Sequence, residues 1–235
     1  MALTYKRIIL KLSGEALGEG GKLFDQDMIM RVAHVLADIA ASGAELGVVI
    51  GAGNIWRGRQ SKEMDAVTAD HMGMLGTVIN CLCMRDAVER CGAKAVVFSA
   101  IDMHRVCEPY NIQSARQAMS EGKIVFFAGG SGNPFFTTDT AVVLRAAEMK
   151  ADALLLAKNI DGVYTADPHK DPTATLIKDI SYADALAMGL RVMDTAAFAM
   201  LSEQAIPAVR VFGLSEPENV LKVIDGDPCG TVLHP

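Results

Sequence analysis

Short apolar runs alternate with longer stretches of three- and four-residue periodicity along the whole chain. Arg7–Leu12, Leu46–Ile50, Ala95–Phe98, Ile124–Ala128, Ala153–Ala157 and Ala208–Phe212 are apolar at successive rather than alternate positions, which predicts strands covered on both faces. Between them, Asp27–Ala41, Asp70–Cys91, Ile112–Glu121, Thr138–Met149 and a pair near Ser181–Leu186 and Thr195–Gln204 predict helices. In the second of these, Met72, Leu75, Ile79 and Leu82 recur at helical intervals, and Asp70 reads as its N-cap. The alternation predicts an α/β fold, a mostly parallel sheet sandwiched between helices. No Pro/Ser-rich linker, composition break or internal repeat divides the chain, so one domain with two lobes is expected. In such sheets ligands gather beyond the carboxyl ends of the strands, which directs attention to the loops there.

Composition narrows the classes. At 235 residues, 51% apolar and 21% charged, the chain can bury one large core. A net charge of −6 argues against a nucleic-acid binder, because no basic excess exists to meet a phosphate backbone. Five cysteines, odd in number and without CxxC spacing, favour neither a disulfide framework nor a zinc site and suit the reducing cytoplasm. Lys11 interrupts the first apolar run, and none reaches the ~18 residues of a membrane span, so neither a signal peptide nor an anchor is expected.

Four loops carry candidate chemistry. In "KLSGE", Lys11–Glu15, a lysine at a strand end can place a point charge beside phosphate oxygens while Ser13 and Gly14 offer backbone donors, although a surface lysine fits the same pentapeptide. It is not a Walker A loop. In "GAGNIWRGR", Gly51–Arg59, the third glycine of the dinucleotide fingerprint is replaced by Trp56; Arg57 and Arg59 are either phosphate clamps or solvated charges. "AGGSGNPFFTTDT", Ala128–Thr140, brings three glycines, hydroxyls and Asp139 to a helix start. One cap would suffice there, and the surplus of donors suggests an anionic ligand. "KNIDGVYTADP", Lys158–Pro168, reads as an Asp161-Gly162 hairpin turn with a short return strand at Val163-Tyr164, and Asp161 and Asp167 as turn-formers.

Together with "DHMGMLGTVINCLCMRDA" and "RVMDTAAFA", these segments resemble the bacterial uridylate kinases of the amino-acid kinase fold over essentially the whole length. The resemblance implies a three-layer α/β/α sandwich with an acceptor lobe over about 1–155 and a nucleotide-donor lobe over about 156–235. It implies transfer of the ATP γ-phosphoryl group to UMP, giving UDP and ADP for pyrimidine nucleotide synthesis, with Mg²⁺ carried by the nucleotide phosphates and no direct protein ligand. Carried over residue by residue, the ATP site comprises Lys11, Leu12, Ser13, Gly14, Gly53, Arg57, Lys158, Asn159, Tyr164 and Asp167. The last four would lie against adenine and ribose. UMP would meet Ala52, Asp70 as partner to the ribose, and Ser131, Gly132, Asn133, Pro134, Phe135, Phe136, Thr137 and Thr138. Lys11, Arg57, Asp139 and Asp161 take the catalytic roles, the two aspartates organising the lysine and the metal's water shell, with Asp194 structural.

The resemblance also implies a homohexamer, activated by GTP and inhibited by UTP. The chain departs from the family at Ala52, where glycine is usual, at Ser131, where threonine is frequent, and over Glu89–Lys123, where relatives bind the activating GTP between subunits. Two rivals stand beside this reading. A carbamate, aspartate or glutamate kinase would use different acceptor loops from "GNPFFTTD" and Asp70. A non-catalytic nucleotide-binding or oxyanion-storage protein would have no need of Lys11, Arg57 and Asp139 together.

Overall fold

The computed structural model describes residues 4–18, 22–56, 63–168, 170–190, 192–214 and 216–235. The first half runs β1 (Arg7–Leu12), a single 3-10 turn (Gly14–Leu17), α1 (Gln26–Ala41), β2 (Glu45–Ile50), α2 (Ala66–Arg90) and β3 (Ala95–Ser99). It continues through β4 (Glu108–Pro109), α3 (Ile112–Ser120), β5 (Ile124–Ala128), α4 (Thr138–Met149) and β6 (Ala153–Lys158). The remainder comprises β7 (Val163–Tyr164), β8 (Leu176–Ile177), β9 (Asp179–Ser181), α5 (Tyr182–Ala187), α6 (Thr195–Glu203), β10 (Val209–Gly213), α7 (Asn219–Ile224) and β11 (Thr231–His234).

Nine strands form one sheet in the order β4-β3-β5-β2-β1-β6-β10-β11-β9. It is parallel from β4 to β10, after which β11 runs antiparallel to β10 and β9 pairs parallel with β11. Side chains alternate along a strand, so each face of the sheet has its own core. Ile8, Leu10 and Leu12 of β1 pack under α1, α2 and α7. Ile9 points the other way, into a cluster with Val142 and Val143 of α4, Ala115 of α3 and Phe198 of α6. The three-layer sandwich expected from the sequence is therefore present.

Three local expectations are corrected. α2 begins at Ala66, not Asp70, because Asp65 accepts the Thr68 backbone N–H as N-cap; Asp70 lies inside the first turns of the helix. The stripe of α2 that signalled a helix is not its core face: Leu75 and Ile79 are 48% and 47% exposed, while Met74, Thr77, Val78, Cys81 and Met84 are buried. The third correction concerns Val163–Tyr164, which pairs antiparallel with Leu176–Ile177 in a separate ribbon instead of folding back on β6. Asp161-Gly162 is thus a turn between two sheets and not a hairpin closure. Among the described residues no helix is long and apolar enough to cross a membrane.

Candidate active site

The connection pattern reverses at β1. β2 lies on one side of it and β6 on the other, so loops leaving these strands splay apart and open a crevice at their carboxyl ends. Strand alternation decides what enters it. Lys11 follows Ile9 by two residues and shares its face, beneath α4, and its neighbour across the ladder is Leu156 of β6. Lys158, two residues beyond Leu156, emerges on the same face. Two lysines from adjacent strands are thereby aimed at one helix N-terminus.

That terminus is the start of α4. Thr137 is its cap: the hydroxyl oxygen accepts the backbone N–H groups of Asp139 and Thr140 at 3.1 and 3.4 Å. The carboxylate of Asp139 is therefore not needed as a cap, and Lys11 Nζ donates to it. Lys158 Nζ donates to the Val192 carbonyl. Burial holds the Lys158 ammonium below the usual lysine range, against the opposing pull of nearby Asp139, and Lys11 adds to the lowering. Asp194 closes the group from α6. It caps that helix by accepting the Ala197 N–H at 2.9 Å, and it accepts the hydroxyls of Thr137 and Thr140. The far end of α4 is pinned by Arg145, 3% exposed, which pairs with Glu148 and stacks 3.7 Å over the Tyr110 ring.

Three clefts meet here. The first, of about 710 Å³, is lined by Ala52, Gly53, Trp56, Asp70, Gly73, Thr77, Ser131, Phe135, Phe136, Thr137 and Thr138 among others. The second, about 680 Å³, is lined by Lys11, Thr137, Thr138, Asp139, Lys158, Val192, Met193, Asp194 and Thr195. A third of about 540 Å³ lies over Ile160, Tyr164, Asp167 and Leu190 and again includes Lys158 and Val192. The three adjoin: Thr137 and Thr138 line both the first and the second, and Lys158 with Val192 lines both the second and the third.

The loop after β5 forms the outer wall of the first cleft. Gly132 has φ 81°, and a Cβ there would stand 2.8 Å from the Ala100 carbonyl oxygen, so both conformation and space require glycine. Phe135 also has a positive φ, 70°, uncommon for a side chain of that size. Its N–H donates to the Asp70 carboxylate at 2.7 Å, a bond that offsets the strain and ties the loop to α2. Both Phe135 and Phe136 present exposed rings. Ser131 bonds locally with Asn133.

The loops after β1 and β2 touch through backbone. A Cβ on Gly14 would meet the Gly51 carbonyl oxygen and Asn54 Oδ1, both at 2.4 Å. Asn80, fully buried in α2, donates to the Gly51 carbonyl at 2.7 Å and exchanges amide bonds with Asn54 at 2.8 and 3.1 Å. Ser13 caps the turn Gly14–Leu17, and Leu12 is buried, so it can offer a ligand only its backbone.

The structure thus gathers Lys11, Asp139, Thr137, Thr138 and Lys158 around the second cleft, and Ala52, Asp70, Ser131, Phe135 and Phe136 around the first. Tyr164 and Asp167 line the third. Asn159 instead reaches Glu15 at 2.9 Å. Asp161 is not among the residues that line the second cleft: it is exposed, on the turn after β6, and packs against Gly213, where a Cβ would lie 2.6 Å from its Oδ1. The second carboxylate in the central cleft is Asp194, which the sequence reading set aside as structural. Arg57 lies outside the described residues. Val192, Met193, Thr195 and Asn80 were not anticipated; a buried asparagine in "VINCL" was the one signal available for the last.

Comparison with known proteins gives a consistent result. A family model described as "Amino acid kinase family" matches residues 6–211. A curated relative, "Uridylate kinase" of Nocardioides sp. (strain ATCC BAA-499 / JS614), is 47% identical over 232 residues, covering 97% of this chain and 98% of its own. The crystal structure of UMP kinase from Bacillus anthracis superposes with a TM-score of 0.93 at 36% identity, covering 98% and 96% of the two chains. That of UMP kinase from Ureaplasma parvum gives 0.92 at 31% identity, covering 98% and 99%.

Proposed function

The chain belongs to the amino acid kinase family, and from that premise we propose that it acts as a UMP kinase, moving the γ-phosphoryl group of ATP to UMP in pyrimidine nucleotide synthesis. The observation that carries the reading is the row of adjoining clefts: two of nucleotide size flank a central one lined by two ammonium groups, two carboxylates and a helix N-terminus. The first cleft receives UMP, with Asp70 toward the ribose. The third receives adenine and ribose against Tyr164 and Asp167. The triphosphate crosses the second, between Lys11 and Lys158. In this assignment residues 1–155 supply the acceptor lobe and 156–235 the donor lobe.

A phosphate oxygen of UMP attacks Pγ, the bond from Pγ to the β,γ-bridging oxygen breaks, and that oxygen leaves on ADP with the electron pair. The UMP phosphate is a competent nucleophile near neutral pH, so no side chain has to remove a proton. Catalysis is then positioning and charge stabilisation. Lys11 and Lys158 face the transferring group and the leaving ADP from adjacent strands, and α4 adds backbone N–H donors. Lys158 thus serves the phosphates rather than the base.

The central cleft suits a hard cation. Asp139, Asp194 and the hydroxyls of Thr137, Thr138 and Thr195 are oxygen donors, the ligand type a hard cation takes. Mg²⁺ would be held through its waters by Asp139 and Asp194 and would supply charge neutralisation on the donor phosphates. The odd, unpaired cysteines support a cytoplasmic setting. A homohexamer, with regulation by GTP and UTP, belongs to the same proposal on the family resemblance alone.

The test is an ADP-release assay with ATP and Mg²⁺ and a panel of acceptors: UMP, CMP, dTMP, aspartate and carbamate. Turnover with UMP at least ~100-fold above each other acceptor is expected, since a site built to hydrogen-bond its substrate rejects analogues strongly. Preference for a carboxylate or carbamate would move the chain to another branch of the family. Nucleotide binding without turnover would support a storage role.

A further inference from the structure

α2 turns one line of small residues toward the loop that follows β2. Trp56 donates its indole N–H to the Ala69 carbonyl at 3.0 Å, and its ring lies beside Gly73. Gly76 then faces Ala52, and one turn further Asn80 holds the Gly51 carbonyl. Spacings of four, three and four residues place all of these on one helix face. The loop is seated along that face from Gly51 to Trp56.

At Gly76 the seat has no slack. A methyl added there would stand 2.8 Å from Ala52 Cβ, well inside the ~3.5–4.0 Å of a carbon–carbon contact. The other neighbours of that point, Cβ and Cγ2 of Ile55, lie at 3.7 and 3.8 Å, ordinary contacts. Ala52 alone therefore forbids a side chain at position 76. Ala52 cannot yield freely, because it is 8% exposed and its carbonyl accepts the N–H groups of Ile55 and Trp56 at 2.9 and 2.8 Å. A push on its Cβ moves the whole turn.

We infer that Ala52 and Gly76 form one positioning unit: a single methyl, carried on the loop and not on the helix, sets the height of the turn that floors the acceptor cleft. The inference rests on reading that cleft as the UMP site. It accounts for how the Ala52 methyl fits against α2: the helix leaves room for it at Gly76. It also makes the sign of a substitution decisive. Alanine is a better helix former than glycine, so without the contact Gly76→Ala would be neutral or stabilising.

The experiment compares Gly76→Ala, Ala52→Gly and the double variant in the full chain, with Gly73→Ala as a stability control. Trp56 is the sole tryptophan and sits on the moving turn, so its emission reports the seating independently of activity. Gly76→Ala is expected to raise the KM for UMP by ~10-fold or more while the KM for ATP changes by less than about twofold, as overpacking at one cleft should. Its Trp56 emission should shift to the red and its melting temperature should fall. The double variant should recover most of each loss. Gly73→Ala, whose Cβ would meet only Trp56 at 4.0 Å, should melt no lower than the parent chain. Unchanged emission and UMP KM in Gly76→Ala would overturn the inference, and so would a double variant no better than Gly76→Ala. If Gly76→Ala does not fold, the double variant must fold for the inference to stand. A parent chain that fails to turn over UMP would sink the functional reading, while the emission and melting data would still decide the contact.

Discussion

Replacing Lys11 by methionine is expected to lower kcat with UMP by ~10²–10³-fold, the range seen when one preorganised donor is removed from a developing oxyanion, with KM for both nucleotides changed far less. Methionine keeps the length of the stem, so the loss reports the ammonium. The reason lies in the geometry of the central cleft. Lys11 comes from a central strand, buried on both sides of its root by Leu10 and Leu12, and Asp139 fixes its tip. It cannot be replaced by a mobile surface cation, and Lys158, held by the Val192 carbonyl, has its own place. The pair with Asp139 is largely buried, its side chains 17% and 20% exposed, and removing one partner leaves the other desolvated without its counter-charge, so a melting curve accompanies the kinetics to separate lost stability from lost rate. Steady-state kinetics with saturating UMP settle the matter: a rise in the KM for ATP at constant kcat would make Lys11 a ground-state binding contact.

Asp139→Asn should lower kcat by a comparable ~10²–10³-fold, for a different reason. The carboxylate is the shared counter-charge of Lys11 and Lys158, and its loss leaves two ammonium groups facing each other across the cleft and Lys11 without its orienting acceptor. The helix itself should survive. Thr137, not Asp139, caps α4, and Arg145 anchors its other end. The expected signature is a chain with native circular dichroism and a near-native melting temperature that binds both nucleotides and turns over slowly. A rate within about threefold of the parent would remove Asp139 from the mechanism, since a charge that close to the transferring group cannot be so small a contribution.

The strands were legible because a parallel sheet covered on both faces writes its strands as continuous apolar runs, and every run from Arg7–Leu12 to Ala208–Phe212 found its place in the sheet. The short edge elements were not. β4, β8, β9 and β11 are two to four residues long, too short to show a period of their own, and β9 exists through pairing with β11 some fifty residues on, which no local pattern records. The start of α2 was hidden for a related reason: Ala66 and Ala69 line the first cleft, so the first turn of the helix has no apolar periodicity to show. Periodicity found that helix but not its face, since the buried face mixes apolar Met74, Val78, Cys81 and Met84 with Gly76, Thr77 and Asn80, while the exposed pair Leu75 and Ile79 is apolar.

For the site, the glycine-rich loops and Lys11 with Asp139 could be picked out from composition and resemblance, because strand ends and helix starts concentrate donors. The partnership around them is tertiary. Asp161 and Asp194 are both aspartates in motif-bearing segments, and only the packing of α6 against α4 decides which one stands in the central cleft. Likewise Lys158 belongs to two clefts at once, and its direction follows from a strand register and one carbonyl on a segment more than thirty residues away.

Direct transfer between the two bound nucleotides can be followed in a single-turnover quench with γ-phosphoryl-labelled ATP, Mg²⁺ and UMP. Label is expected only in UDP, one for each ADP formed, with none on the protein at any time, and without UMP the ATP should persist. Label trapped on the chain, or released as inorganic phosphate at the same rate with or without UMP, would contradict direct transfer.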